Sequence, residues 1–229
     1  MKIKGLQKTT LLDFPEKLAC TIFTGGCNFR CPFCHNASLV LIPNEVEEIS
    51  EEELFAYLSK RQGMLDGVCI TGGEPLLNSD IADFIKKIRS YGLLVKLDTN
   101  GSFPERLEAL LDEGLLDYVA MDIKNSKEKY ALTTGTKLYP TEIERSIDII
   151  IEKAPDYEFR TTVVRELHSA QDIADIAKRI KSAKKYFLQS YVDSGDIIAE
   201  GFSAYSASEM LDILENTKKI LPITVLRGV

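Results

Sequence analysis

Across its 229 residues the chain has no tryptophan and only two histidines, and it lacks the long features that settle a class at sight. No apolar run approaches the ~18 residues of a membrane-spanning helix, which argues against an integral membrane protein. Behind the opening lysines of MKIKGLQK there is no apolar stretch of the kind a secretory signal carries. Basic charge is not in surplus: the net charge is −7, against the expectation for a general nucleic-acid binder. Internal repeats, low-complexity tracts and Pro/Gly/Ser linkers are missing, and so are a Ser/His/Asp triad and a phosphate-cradling P-loop. What remains is a cytoplasmic chain, expected as one domain over residues 1–229, with neither membrane nor nucleic acid as partner.

The apolar content is ample for a core without a disulfide framework. It falls into short β-branched runs at 18–24, 67–71, 93–98, 118–123, 157–164, 186–189 and 223–226. Segments of helical periodicity lie between them, at 52–62, 80–91, 104–113, 141–153, 170–183 and 206–220. Continuous apolar strands alternating with amphipathic helices predict an α/β fold with a parallel sheet. Ser79 and Gly92 predict the ends of the second helix, and Ser206 with Glu209 reads as a capping box. Strand count alone leaves a doubly wound sheet and a full or partial barrel open. In each of these, functional residues gather at the carboxyl ends of the strands.

Five cysteines are present: Cys20, Cys27, Cys31, Cys34 and Cys69. An odd number in a reducing compartment does not read as disulfides. Cys20 and Cys69 sit inside apolar runs and read as small core residues. The other three form C-x3-C-x2-C directly after the first apolar strand, where Gly25-Gly26 permits a tight backbone path. Three thiolates leave one coordination position open. Either a structural zinc takes His35, Cys20 or Cys69 as fourth ligand, or an iron–sulfur cluster keeps one iron free. No second C-x2-C or H-x3-H follows, which favours the open cluster. Arg160 interrupts an apolar run, and because an unpaired buried guanidinium is costly, it is expected to face a polar cavity. His168 follows that run and reads as an incidental loop histidine.

C-x3-C-x2-C with Phe33 before the last cysteine resembles the signature of the radical S-adenosylmethionine enzymes. The resemblance implies a partial (βα)6 barrel of parallel strands with outer helices. It also implies that Cys27, Cys31 and Cys34 hold a [4Fe-4S] cluster whose free iron binds S-adenosyl-L-methionine, with Phe33 near the adenine. Further along, Thr71-Gly72-Gly73-Glu74-Pro75 is similar to the family's motif for the methionine ammonium. Leu97-Asp98-Thr99-Asn100-Gly101, Met121-Asp122-Ile123-Lys124 and the Cys34-His35-Asn36 run resemble the glycyl-radical-enzyme activases. By that resemblance Gly72, Gly73, Glu74, Asp98, Asn100, Asp122, Lys124, Arg160, His35 and Phe33 are cofactor-binding residues. Asp98, Thr99 and Asp122 would form a monovalent cation site, and Lys124 would neutralise the cofactor carboxylate.

Leu12-Asp13-Phe14-Pro15, leading into the cysteine loop, is similar to the activases that serve anaerobic ribonucleoside-triphosphate reductase. The resemblance implies one-electron cleavage of the cofactor to a 5′-deoxyadenosyl radical. That radical would abstract a hydrogen from a glycine of the partner, with a flavodoxin- or ferredoxin-type donor supplying the electron. Where activases of pyruvate formate-lyase type carry a histidine near the sixth strand end, this chain has Tyr191-Val192, with Gln189 as a candidate substitute. The Gly- and Ser-containing segment 191–205 is expected to be a mobile docking loop. A small-molecule enzyme of deazaguanine-synthase type and a non-enzymatic zinc or iron–sulfur scaffold are the alternatives.

Overall fold

The computed structural model describes residues 1–42, 44–137 and 141–228. Among these described residues eight strands form one sheet in sequential order: β1 (Ile3–Thr10), β2 (Ala19–Thr24), β3 (Gly67–Gly72), β4 (Leu94–Thr99), β5 (Tyr118–Asp122), β6 (Tyr157–Val163), β7 (Tyr186–Ser190) and β8 (Thr224–Arg227). β1 runs antiparallel to β2, and each later pair is parallel. The sheet is not closed: β1 and β8 are its two edges. The helices are α1 (Ala37–Leu41), α2 (Glu51–Lys60), α3 (Ile81–Arg89), α4 (Pro104–Asp112), α5 (Lys127–Thr134), α6 (Glu142–Lys153), α7 (Ala170–Arg179) and α8 (Ala207–Lys218). Among the described residues no helix is long and apolar enough to cross a membrane.

The open, mostly parallel barrel agrees with the expected fold class, and the seven apolar runs are β2 to β8. The strand count exceeds six because β8 joins the parallel set and β1 pairs onto its first edge. β1 (IKGLQKTT) escaped the sequence reading because a solvated edge strand has no continuous apolar run. The Ser206–Glu209 capping box forms, and a second one joins Ser169 to Asp172 at the start of α7. Ser79 does not cap α3. That place falls to Asp80, which makes no side-chain cap bond.

Successive residues of a strand face opposite sides, and the two sides of this sheet differ in chemistry. Val68, Ile70, Val95, Leu97, Val119 and Met121 point outward into one apolar layer shared with the helices. The intervening positions point into the barrel: Thr71, Asp98, Asp122, Arg160, Thr162 and Gln189 all line one cavity.

At the amino ends of the strands the barrel is plugged. The connection from β1 to β2 brings Phe14 inside, where it packs against Ala19, Tyr118 and Ala120 in a small core separate from the outer layer. The Phe14 and Tyr118 rings lie 6.1 Å apart. Beside them Asp13 accepts a 2.5 Å hydrogen bond from the Thr21 hydroxyl and forms part of the cavity floor.

Candidate active site

The cysteine loop leaves the carboxyl end of β2 and folds over the barrel mouth. Two glycines of the next strand end make this path possible. A side chain on Gly72 would meet the backbone of Thr24 at 2.3 Å, and one on Gly73 would meet the Gly26 carbonyl at 1.9 Å. Gly72 also has φ +111°, a conformation open to glycine at little cost. The Glu74 N–H then donates to the Gly26 carbonyl at 2.8 Å, and Asn36 Nδ2 donates to the Gly72 carbonyl at 3.1 Å. The glycine pair therefore locks the cysteine loop onto β3.

The result is a cavity of about 460 Å³ at the carboxyl ends of the strands. Cys27, Cys31, Phe33, Cys34, His35, Gly72, Gly73, Asp98, Thr99, Asn100, Asp122, Lys124 and Arg160 all line it, so every expected site residue except Glu74 meets in one place. Gln189, the candidate substitute for the sixth-strand histidine, lines it too. Cys20 and Cys69 do not. Cys20 is packed in the outer apolar layer, and Cys69 lies on β3 against Lys96 and Asp98.

Burial pushes the Cys31 thiol up to about 12 and raises Cys27 as well, while Lys124 acts in the opposite direction on both. These are unreactive thiols as they stand. Binding to a metal centre deprotonates them, and the Lys124 ammonium offsets the charge that results. Three thiols lining one cavity, with a nearby cation, an aromatic ring and strand-end glycines, are a donor set that fits a multi-iron cluster with its nucleoside-bearing cofactor.

Deeper in the cavity five charged side chains alternate. Lys96 pairs with Asp98, which also accepts from Arg160 Nη1 at 3.2 Å. Arg160 Nε donates to Asp122 at 2.9 Å, and Lys124 donates to the other Asp122 oxygen at 3.0 Å. Burial opposes the charge on every member, yet the neighbours outweigh it. Arg160 and then Lys124 hold Asp122 well below the usual carboxylate range, and Arg160 and then Lys96 lower Asp98. Asp122 likewise holds Lys124 above the ordinary lysine range. The expectation of a polar setting for Arg160 is met. Lys96 was missed, although a charge inside the apolar run 93–98 is the same signal that Arg160 gives.

Two expected groups of site residues are held by protein partners. The Glu74 carboxylate is fully buried and does not line the cavity. It accepts from Thr99 Oγ1 (2.8 Å), the Asn100 N–H (2.7 Å) and the Leu76 N–H (3.1 Å), which fixes the neighbouring turn. Burial pushes it up to about 7 against these bonds. At the expected cation site, Asp98 and Asp122 face protein cations and the Thr99 hydroxyl donates to Glu74. Among the described residues, no three His, Cys, Asp or Glu side chains group tightly enough to hold a single metal ion.

His168 is not incidental. Its Nε2 lies 2.7 Å from the Lys124 carbonyl, which can only accept, and its Nδ1 takes the Val164 N–H at 3.1 Å. That pattern requires the neutral imidazole protonated on Nε2, and burial lowers its pKa accordingly. The ring also meets Phe33 edge-on at 6.4 Å, so it positions both Phe33 and the Lys124 segment. The segment 191–205, expected to be mobile, is pinned. Asp196 accepts from the Ser38 N–H and hydroxyl at the start of α1, and the Ala199 N–H donates to the Pro32 carbonyl inside the cysteine loop at 2.9 Å. Tyr191 leans on His35 at 5.6 Å.

The Radical SAM superfamily profile matches residues 21–180. A Methanocaldococcus jannaschii protein, provisionally named a glycyl-radical enzyme activating enzyme, is 32% identical over 99% of this chain and 96% of its own length. Aquifex aeolicus GTP 3′,8-cyclase is 28% identical over 93% of this chain and 68% of its own. Among solved structures, a domain of pyruvate-formate lyase-activating enzyme from Bacteroides vulgatus superposes with a TM-score of 0.55 at 16% identity, covering 71% of this chain and 99% of that one. Streptococcus suis SuiB bound to its precursor peptide SuiA reaches 0.70 at 15% identity, covering 91% and 48%. At such identities the two structures share the fold with this chain.

Proposed function

The chain belongs to the Radical SAM superfamily, whose enzymes use a [4Fe-4S] cluster and S-adenosylmethionine, and on that premise we propose that it is a glycyl-radical-enzyme activase. Its partner in this reading is an anaerobic ribonucleoside-triphosphate reductase, with a flavodoxin- or ferredoxin-type protein as electron donor. The observation that carries it is the match to the archaeal relative over 96% of that protein's length, with the strand-end motifs inside it. The non-enzymatic scaffold is set aside by the family assignment.

Cys27, Cys31 and Cys34 are the residues that would hold the cluster. Phe33, His35, Gly72, Gly73, Asn100 and Lys124 would surround the cofactor at the mouth. When bound, the pair supplies reductive cleavage of a sulfonium and removal of a hydrogen atom from a glycine Cα. The chain's own groups bind and orient. Lys124, tied to Asp122, places a fixed positive charge beside Cys31 and Cys34. Arg160 is held between two carboxylates, so its position in the cavity is set before any ligand arrives. Gln189 offers an uncharged amide from β7. Phe14 packs against Ala19, Tyr118 and Ala120 at the amino ends of the strands, beneath the cavity floor.

The test mixes anaerobically reconstituted protein, a reductant, S-adenosylmethionine and a candidate anaerobic ribonucleoside-triphosphate reductase. A glycyl radical doublet in electron paramagnetic resonance is the expected result. Cofactor cleavage with no glycyl signal from any candidate partner would move the assignment to a small-molecule enzyme. Replacing Cys27, Cys31 or Cys34 with Ala should abolish iron binding, while Cys20→Ala and Cys69→Ala should retain it. Stoichiometric zinc without iron uptake would remove the cluster altogether.

A further inference from the structure

The three cysteine sulfurs do not have equivalent surroundings. Cys27 Sγ accepts two N–H groups, from the Phe29 backbone at 3.4 Å and from Asn100 Nδ2 at 3.7 Å. Among the described residues the sulfurs of Cys31 and Cys34 accept none, and Lys124 is the positive charge that acts on them.

The orientation of the Asn100 amide follows from its other partners. The Ser102 backbone N–H, which can only donate, lies 2.9 Å from one terminal atom of the Asn100 side chain, and that atom must be the oxygen. The Ser102 hydroxyl donates to the same oxygen at 2.6 Å. The amide nitrogen is thereby turned toward Cys27. It also donates to Asn28 Oδ1 at 3.0 Å, and Asn28 Nδ2 returns to the Ser102 hydroxyl at 2.8 Å, closing a ring of three side chains. The backbone beneath this ring is fixed by Glu74, whose buried carboxylate takes the Asn100 N–H. Asn100 is thus held from several directions with its donor on one ligand sulfur.

We propose that Asn100 is a positioning residue that raises the reduction potential of the cluster by holding an N–H···S hydrogen bond on Cys27, with Ser102, Asn28 and Glu74 as its supports. The proposal rests on the cluster assignment above. Reduction adds negative charge that the cluster shares with its thiolate ligands. A dipole aimed at one of those sulfurs stabilises the reduced form more than the oxidised form, and hydrogen bonds to the sulfurs are among the features that set cluster potentials. The Lys124 charge acts on all three cysteines, and among them Cys27 adds neutral donors whose strength does not change with pH.

The test compares wild type, Asn100→Leu and Ser102→Ala after anaerobic loading with iron and sulfide, reading iron content and an equilibrium redox titration. Leu has nearly the shape of Asn without the donor and adds no charge. The backbone N–H that Glu74 holds is unchanged by the replacement. Asn100→Leu should bind wild-type iron and favour the oxidised cluster about tenfold, which for one electron is ~59 mV more negative. Ser102→Ala keeps the donor but frees it, and should shift the potential the same way by less. Fully loaded variants at the wild-type potential overturn the proposal and leave the cluster assignment standing. Should Asn100→Leu fail to load, Ser102→Ala decides, and an unchanged potential there overturns it equally. A wild-type protein that takes up no iron removes the cluster assignment and this proposal together.

Discussion

On β4, Val95 and Leu97 turn outward into the apolar layer beneath the helices, while Lys96 and Asp98 turn inward to each other and to Arg160. β5 repeats the division with Val119 and Met121 outside and Asp122 inside. The outward side chains share their burial with many neighbours, and dispersion contacts are individually small, so a slight loss at one position is spread over several. The inward charges depend on specific partners. Arg160 alone bonds two carboxylates, each of which holds a lysine at its other end. Removing one member leaves another buried charge uncompensated. The same backbone therefore carries one face that tolerates change and one that does not.

The largest expected effect comes from breaking the inner chain at its centre. Arg160→Met keeps the aliphatic stem and removes the charge that Asp98 and Asp122 share. Breaking a buried pair costs about 3–5 kcal/mol, which urea unfolding of the cofactor-free chain would read. A loss below about 1 kcal/mol would mean that the inner face is as forgiving as the outer one.

A second effect sharpens the contrast through pH. Glu74 is buried among neutral donors, and its pKa in the fold is raised to about 7 from 4.5. Between those values the folded chain binds a proton that the unfolded chain has released, so this group's contribution to stability falls as pH rises from 4.5 to 7. The full change is roughly 3 kcal/mol. Asp98 and Asp122 act oppositely, because their depressed values give stability that is present above the ordinary carboxylate pKa and lost below it. Thermal melts of wild type against Glu74→Gln from pH 5 to 8 should show wild type losing ground steadily, and parallel curves would contradict it.

The smallest effect belongs to the outer face. Ile70→Val on β3 removes one methylene from the apolar layer and should cost about 0.5–1.5 kcal/mol. Cofactor cleavage per folded molecule should be unchanged. A cost approaching that of Arg160→Met would erase the distinction between the faces.

The parts legible in the sequence were those written in a period or a fixed spacing. Seven parallel strands stood out because strands covered by helices are continuously apolar, and the cysteine triplet because its spacing fits little else. The short helices α1 and α5 carry too few turns to show a period. Glu74 stands outside the cavity lining for a different reason. A motif locates a residue at a strand end, but the turn at Gly72 decides which way its neighbours point. Asp13 and Phe14 sit in a loop with no periodicity, so nothing in their spacing announces that the chain turns back into the barrel. His168 is bonded by its ring to two backbone groups, and backbone partners leave no trace in side-chain patterns.

The unclosed sheet has one further consequence, for association between molecules. An open barrel leaves two strand edges, and an unpaired edge is a template on which another chain's strand can add. Here neither edge offers much. β1 shifts register twice along β2, carries Lys4 and Lys8, and has its start covered by a bridge from Ile3 to Ile49. β8 is four residues long, and its Arg227 is drawn inward onto Glu158. Irregularity, charge and shortness are the devices by which edge strands resist strand addition. The mouth can therefore stay open toward a macromolecular partner without the sheet inviting copies of itself.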